Sequence, residues 1–451
     1  MNDHETRLAE MLHERAAVAR PDDRLGDVLH GAPVRRAWWP AAVAVAAAVL
    51  LVVGGPWLTR RDRPTNTIHP ATSVTGVWGE LPAPPLGPRL LSVSVATNDG
   101  WFVWGGRKQW NGDAGDDPEV EGAYYERATG EWRTLPGAPL DVSPGQEIGT
   151  GVWTGTEVVV AVGGATPQFA AFDPHAFTWR SIAVPADIVA HWPTRQGVYD
   201  SPVMDWIAGQ VVAAIPAYSD TQSYSWILTF DPSLPAIESE VPPMPAIPLG
   251  VRMVSSDHSL YLVDASVGDC RGTRQVHIYD VAAGTWNSID LPHDNWVPSI
   301  VAWTGTGLLV AGGTDCTSDQ GGVRFAAVLD GGSAIWRTAA DLPEDQRNVM
   351  FAPTATADGL VASLDYDGAP FVYDSGLDRW WVGPPIAVGI ADHPATVGGV
   401  HLVALGRDLL IWSPQVSGAP DMTLHVTGTV LHLAIPDPSS WADRPVSTST
   451  P

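Results

Sequence analysis

The tetrapeptide Trp153-Thr154-Gly155-Thr156 recurs 150 residues later as Trp303-Thr304-Gly305-Thr306. Both copies lead into an apolar run closing on a Gly-Gly pair, Val158 to Gly164 in one and Leu308 to Gly313 in the other. Such repetition constrains a chain strongly, because every unit folds alike and buries its apolar faces only against its neighbours. The period is about 50 residues, enough for four short strands and their turns. Three units therefore separate the two copies.

Each unit reads in the same order. A first strand and a short turn lead to a β-branched strand ending in Gly-Gly or small residues. A variable loop follows, then a strand closing on an apolar or aromatic residue with Asp, a turn, and a strand carrying Trp. That second half is clear in Phe172-Asp173 to Trp179, Tyr279-Asp280 to Trp286 and Tyr373-Asp374 to Trp380. Looser versions run from Tyr125 to Trp132, Phe230-Asp231 to Ile237 and Leu329-Asp330 to Trp336. Second strands end at Gly105-Gly106, Gly163-Gly164, Ala213-Ala214, Val263, Gly312-Gly313, Ser363 and Ala404. That predicts seven units. Short β-rich runs between Gly, Pro and Asp turns imply antiparallel sheets, and sheets with two apolar faces pack radially. The seventh unit, Val400 to Trp412, has no Trp strand after it, whereas Gly76-Val77-Trp78-Gly79-Glu80-Leu81-Pro82 resembles Glu131-Trp132-Arg133-Thr134-Leu135-Pro136. The N-terminal strand is thus expected to complete the last unit and close the ring.

The Gly-Gly doublet followed by aromatic-Asp and Trp at this spacing resembles the kelch repeats, and more broadly the central domain of galactose oxidase. The resemblance runs from Val74 to Gly418 and implies an all-β fold, a seven-bladed kelch-type β-propeller at 74–418. It implies little about activity, since one fold hosts many.

Ahead of the repeats, Ala37–Leu58 is a stretch of 22 residues without a charge. As a helix at ~1.5 Å per residue it spans ~33 Å, enough for a hydrocarbon core of ~30 Å. Trp38, Trp39 and Trp57 stand at its ends, where interfacial aromatics belong. A single transmembrane helix at 37–58 is expected, with 1–36 as a cytoplasmic segment and 59–73 as a linker. A cleaved signal peptide is the alternative, although its apolar run is ordinarily only ~7–15 residues. Residues 419–451 form an extension and tail, in which Thr423 to Ile435 is apolar enough for one more outer strand.

Arginines flank the apolar run on both sides, so charge does not fix its orientation. Cys270 and Cys316 fall in equivalent loops of adjacent units, where a disulfide would suit an oxidising compartment outside the membrane. Two free thiols are the other reading. The chain carries a net charge of −25, which argues against nucleic acid and anionic lipid as partners. A single Lys against 24 Arg, with abundant Ala, Gly, Pro and Val, is the bias of a high-GC bacterial proteome, read here as actinobacterial.

Ligands are expected where the variable loops converge at the channel mouth. Trp110, Trp192 and Trp296 fall in these loops, with His191, His293, Asp294, Asp113 and Asp220 nearby. Aromatic plates beside carboxylates suit sugar rings; the plainer reading is Trp packed against adjacent units. The acidic loop from Asn111 to Glu121 lacks the spacing of an EF-hand. No Gly-x-Ser-x-Gly, His-Glu-x-x-His or phosphate loop occurs. The copper site of galactose oxidase needs a Cys–Tyr cross-link with further Tyr and His ligands, and no set of residues here matches that pattern. No cofactor or metal is expected. The function that follows is an extracytoplasmic module binding a protein or glycan of the cell envelope; the alternative is a carbohydrate-active lyase or hydrolase on the same scaffold.

Overall fold

The computed structural model describes residues from Thr72 to Ala434, apart from 74–78, 88, 90–91, 108–117, 143–147, 164–166, 192–201, 219–222, 238, 242–250, 265–273, 294–295, 316–322, 344–353, 358, 365–368, 384–400, 407 and 417–423. Within them the chain forms successive antiparallel sheets. Sheet A is Val93–Ala96, Gly100–Trp104, Gly122–Glu126 and Glu131–Thr134. Sheet B is Ile148–Trp153, Val158–Val162, Gln168–Asp173 and Thr178–Ile182, and sheet C is Val203–Ile207, Gln210–Tyr218, Ser223–Phe230 and Ser239–Val241. Sheet D follows with Val251–Ser255, Ser259–Asp264, Gln275–Asp280 and Thr285–Asp290, and sheet E with Ile300–Trp303, Gly307–Ala311, Ala326–Asp330 and Trp336–Thr338. Sheet F holds Thr354–Ala357, Leu360–Leu364, Pro370–Asp374 and Arg379–Val382; sheet G holds His401–Leu405, Asp408–Val416, Leu424–Ala434 and Gly79–Leu81. The first strand of each sheet neighbours the first strand of the next, and that of G neighbours that of A. The chain is an all-β propeller.

The repeat predicts seven four-stranded blades, and six sheets have that form. Sheet F departs from it, because Thr72–Ser73 pairs in parallel with Arg379–Val382 as a fifth strand. An outer strand leaves a row of backbone groups unpaired, and the added strand covers that edge. A second correction concerns sheet G. Ala404 lies on its first strand rather than its second, and Leu424–Ala434 is its third strand rather than an addition outside it. The last sheet therefore runs past Gly418, to Ala434. Gly79–Leu81 pairs with Val430–His432 as the fourth strand, which is the closure that the N-terminal copy of the Trp strand predicts.

The repeated residues have repeated tasks. In the Trp-Thr-Gly-Thr turns, Thr154 Oγ1 donates to the Glu157 carbonyl at 3.0 Å and Thr304 Oγ1 to that of Gly307 at 2.9 Å, while Gly155 and Gly305 are left-handed. Thr97 with Gly100 and Ser256 with Ser259 make the same hydroxyl bond in sheets A and D. In sheets B, E and F the Asp closing the third strand accepts backbone N–H groups of the next turn: Asp173 from His175 and Ala176, Asp330 from Gly332 and Ser333, Asp374 from Gly376 and Leu377. These are Asx turns. The Gly-Gly pair answers two demands. Gly312 and Gly313 have φ of 62° and 104°, and a Cβ at Gly313 would sit within bonding range of the Val297 carbonyl.

The core lies in the joints between sheets. Val93, Phe102 and Trp104 of A pack with Val160 and Phe172 of B; Tyr261 and Val276 of D pack with Leu308 and Val310 of E. The outer-strand Trp binds these joints by hydrogen bonding as well as area. Four of these indole N–H groups reach back to a carbonyl at the end of the preceding sheet, Trp132 to Pro82, Trp179 to Pro136, Trp336 to Asp290 and Trp380 to Ala340, at 2.7–3.0 Å, whereas the buried indole N–H of Trp286 in sheet D has no such partner among the described residues.

No helix among the described residues is long and apolar enough to cross a membrane. The Ala37–Leu58 stretch lies outside them.

Candidate functional site

Strand alternation gives a propeller two unlike ends. Turns within the strand pairs one–two and three–four lie at one end, and here they are short and satisfied by their own Thr, Ser and Asp side chains. The loops between strands two and three, and the connections between sheets, gather at the other. That end carries the sequence expectations. Trp110, Asp113, Trp192, Asp220, Asp294 and both cysteines, Cys270 and Cys316, lie outside the described residues. His191 is the last residue of a short helix, Ala186–His191, that follows sheet B.

Two expected site residues are described with their surroundings. His293 is exposed, its ring 5.7 Å from that of Phe325. Trp296 is not a free aromatic plate. It is 1 % exposed, meets Phe325 edge-on at 5.2 Å and donates its N–H to the Gly312 carbonyl. It also pairs with Asp315 in a two-stranded ribbon, Trp296–Val297 with Thr314–Asp315. Trp296 is a packing residue, because its ring fills the joint of sheets D and E.

Polar groups held inside the protein instead lie on the first strands or just before them, where the sequence offers no motif. Arg89, just before sheet A, is 1 % exposed; it donates to the Gly105 and Glu121 carbonyls at 3.1 and 2.6 Å and pairs with the Glu121 carboxylate at 3.2 Å. Burial lowers its pKa, against the pull of Glu119 and Glu121. It braces the stems of the loop after Gly105-Gly106. Asp205, on the first strand of sheet C, is enclosed by protein, and that desolvation raises its pKa to about 6 although the Trp206 N–H and Ser255 bond to it. His401, on the first strand of G, is 7 % exposed; its Nε2 lies 2.9 Å from Ser92 Oγ and burial lowers its pKa to about 4.

Arg252 is different. It is the second residue of the first strand of sheet D, at the loop end of the channel. Its side chain is half-buried. Desolvation lowers its pKa with no carboxylate opposing it, and no hydrogen bond or ion pair holds it among the described residues. At the head of the neighbouring first strand, the buried Ser299 Oγ also has no hydrogen-bond partner there. The signal for Arg252 is in the sequence: a lone charge between Val251 and Met253-Val254.

No protein-family model matches the sequence, and no curated protein matches it. Among solved structures, a fungal alcohol oxidase of the AA5 family in complex with copper overlays with a TM-score of 0.56 at 12 % identity, covering 80 % of this chain and 76 % of that one. YjhT overlays with a TM-score of 0.44 at 12 % identity, over 67 % of this chain and 99 % of its own. The likeness to the oxidase is one of fold. Among the described residues no three His, Cys, Asp or Glu side chains are grouped to hold a metal, so the described residues supply no donor set for copper.

Proposed function

We propose that the chain is a membrane-anchored, extracytoplasmic binding module whose propeller takes a protein or glycan of the cell envelope at its loop end. The observation that carries this reading is the asymmetry of the two ends. The tight-turn end satisfies its own polar groups, whereas the loop end joins long connections to the unpartnered Arg252 and Ser299. Ligand sites are concave and set a few polar groups in an otherwise apolar wall. Catalysis needs groups within reach of one another. Here Asp205 is bonded to Ser255 and His401 is held by Ser92 and Trp412, so these two groups are each engaged by their own neighbours and not by one another. Sheet F, with the same strand order as the other sheets, completes a ring of seven in this reading.

The anchor is Ala37–Leu58, with residues 1–36 inside the cell, and Cys270 and Cys316 joined by a disulfide outside it. Incubating the immobilised full-length protein with an envelope glycan array and an envelope extract tests the binding. Specific retention that Arg252→Met reduces is the expected result; no retention from either source defeats the reading. For topology, a reporter active only outside the cytoplasm should work at Pro451 and stay silent at Met1. Alkylation should label the two cysteines only after reduction.

A further inference from the structure

We infer that two short strands ahead of sheet A, Thr72–Ser73 and Gly79–Leu81, are the successive grips of a strap that opens the ring under tension. Load on the chain N-terminal to Thr72 frees the first grip from sheet F and then draws the second out of sheet G. Covalent order sets this sequence of loading whatever holds the far end of the tether, so the inference does not depend on the anchor at Ala37–Leu58. Thr72 pairs with Trp381 and Ser73 with Val382, in parallel, on the outer edge of sheet F. Gly79, Glu80 and Leu81 pair with His432, Leu431 and Val430, antiparallel, on the outer edge of sheet G. Sheet F has its four strands without Thr72–Ser73, so the ring does not need that pair to form. What the pair holds is the chain leading to the closing strand.

The two grips differ in strength. The first is a pair of residues in parallel register, slightly less stable per residue than antiparallel pairing. The second has three antiparallel pairs; Leu81 also packs with Trp101, Leu410 and Trp412, and the Pro82 carbonyl accepts the Trp132 indole N–H at 2.8 Å. Behind it the chain meets a firm stop. Leu86 is buried in the same cluster, and Arg89 is tied to the Gly105 and Glu121 carbonyls. Segments of low local stability open first, and loading in series lets each yield before the next is stressed. Loss of the first grip releases residues 72–78, up to ~25 Å of chain at ~3.5 Å per residue. Loss of the second releases 79–85, a similar length, and takes the N-terminal strand out of the joint between sheets G and A. The edge of Leu424–Ala434 at Val430–His432 is then bare, and an unpaired edge is a template for another strand.

Pulling the full-length protein in an optical trap tests this, with one handle at Met1 and the other on an azide-bearing residue at Ile335, which is 66 % exposed at the turn of sheet E. Two reversible extensions, each of up to ~25 Å, should precede the large rupture of the sheets. Thr72→Pro combined with Ser73→Pro removes the backbone donors of the first grip. In that variant the first extension should vanish while the second stays at its original force. Leu81→Ala should lower the force of the second extension and leave the first where it is. Should Leu81→Ala fail to fold, Trp132→Phe removes only the bond to the Pro82 carbonyl and should lower the same force. A single rupture with no earlier extension overturns the inference. So does one early extension that both sets of variants shift together, because the two strands then yield as one grip. Early extensions that neither set alters overturn it as well, since another segment is yielding.

Discussion

His401 and Asp205 pull stability in opposite directions as pH changes. The His401 ring stacks on Trp412 at 5.5 Å between centroids, and burial holds its pKa at about 4, below the ordinary 6.5. Between those values the unfolded chain binds a proton that the folded one refuses. Its contribution is therefore full above pH 6.5 and is lost as pH falls toward 4, by on the order of 3 kcal/mol at one unit per ~1.4 kcal/mol. His401→Gln keeps an amide within reach of Ser92 and should flatten the fall in Tm between pH 6.5 and 4. An unchanged slope would mean that another group is responsible. Asp205 has the reverse sign. Its pKa rises from 3.8 to about 6, so its stabilising contribution is present below 3.8 and disappears as pH climbs through 6. Asp205→Asn mimics the protonated form; Tm should rise at pH 7–8 and stay level near pH 3.5. Neither group was legible in the sequence. A lone Asp in Val203–Ile207 looks like any half-exposed strand residue, and only the packing of sheet D beside it, with Ser255 at its carboxylate, desolvates it.

At the scale of the strand, the repeat was legible because each unit reuses the same local chemistry. Thr at the first turn and Asp at the third strand act within a few residues of themselves, while Gly-Gly and Trp meet more distant partners but recur at the same place in the unit, so spacing exposes all four. Burial of the Trp is less uniform than its recurrence suggests. Trp380 is 2 % exposed and packs on Phe371 and Tyr373 at 5.5 and 5.0 Å. Trp179 and Trp336 are only half-buried. Trp380→Ala should therefore cost ~3–5 kcal/mol, as fully buried aromatics do, and Trp336→Ala clearly less. Denaturant unfolding of the two variants checks the order; equal losses would show that the shared indole-to-carbonyl bond, not burial, sets the cost. The Trp296 expectation failed for a related reason. Position in a loop suggested exposure, but Trp296 folds back to pair with Asp315 and to fill the joint below. The first hairpin of sheet E, Ile300–Trp303 and Gly307–Ala311, lies between the two partners, so their pairing leaves no periodic trace.

The whole ring depends on joining ends that are far apart in sequence. Leu81 pairs with Val430, and its strand gives the Pro82 carbonyl to the Trp132 indole of sheet A. Arg127 at the turn of sheet A pairs with Asp408 of sheet G at 2.7 Å, and His401 meets Ser92 across the same joint. Closure was legible because the missing Trp strand has a copy at the N-terminus, whereas the true third strand of sheet G lacks the aromatic-Asp signature and was assigned outside the ring. These ties differ in weight. Arg127–Asp408 is largely exposed and screened by water, so Arg127→Ala should change stability little. The strand carries area, backbone bonds and the Trp132 partner together, and Leu81 packs with Trp101, Leu410 and Trp412. Leu81→Asp places a charge against that cluster and breaks the joint from within. It should lower Tm by far more than Arg127→Ala and raise hydrogen exchange at the first strands of both A and G. Sheets C and D, on the other side of the ring, should keep their protection until global unfolding. Exchange that rises only in sheet G would mean that the last sheet opens alone, and that the ring holds its shape without being closed through Gly79–Leu81.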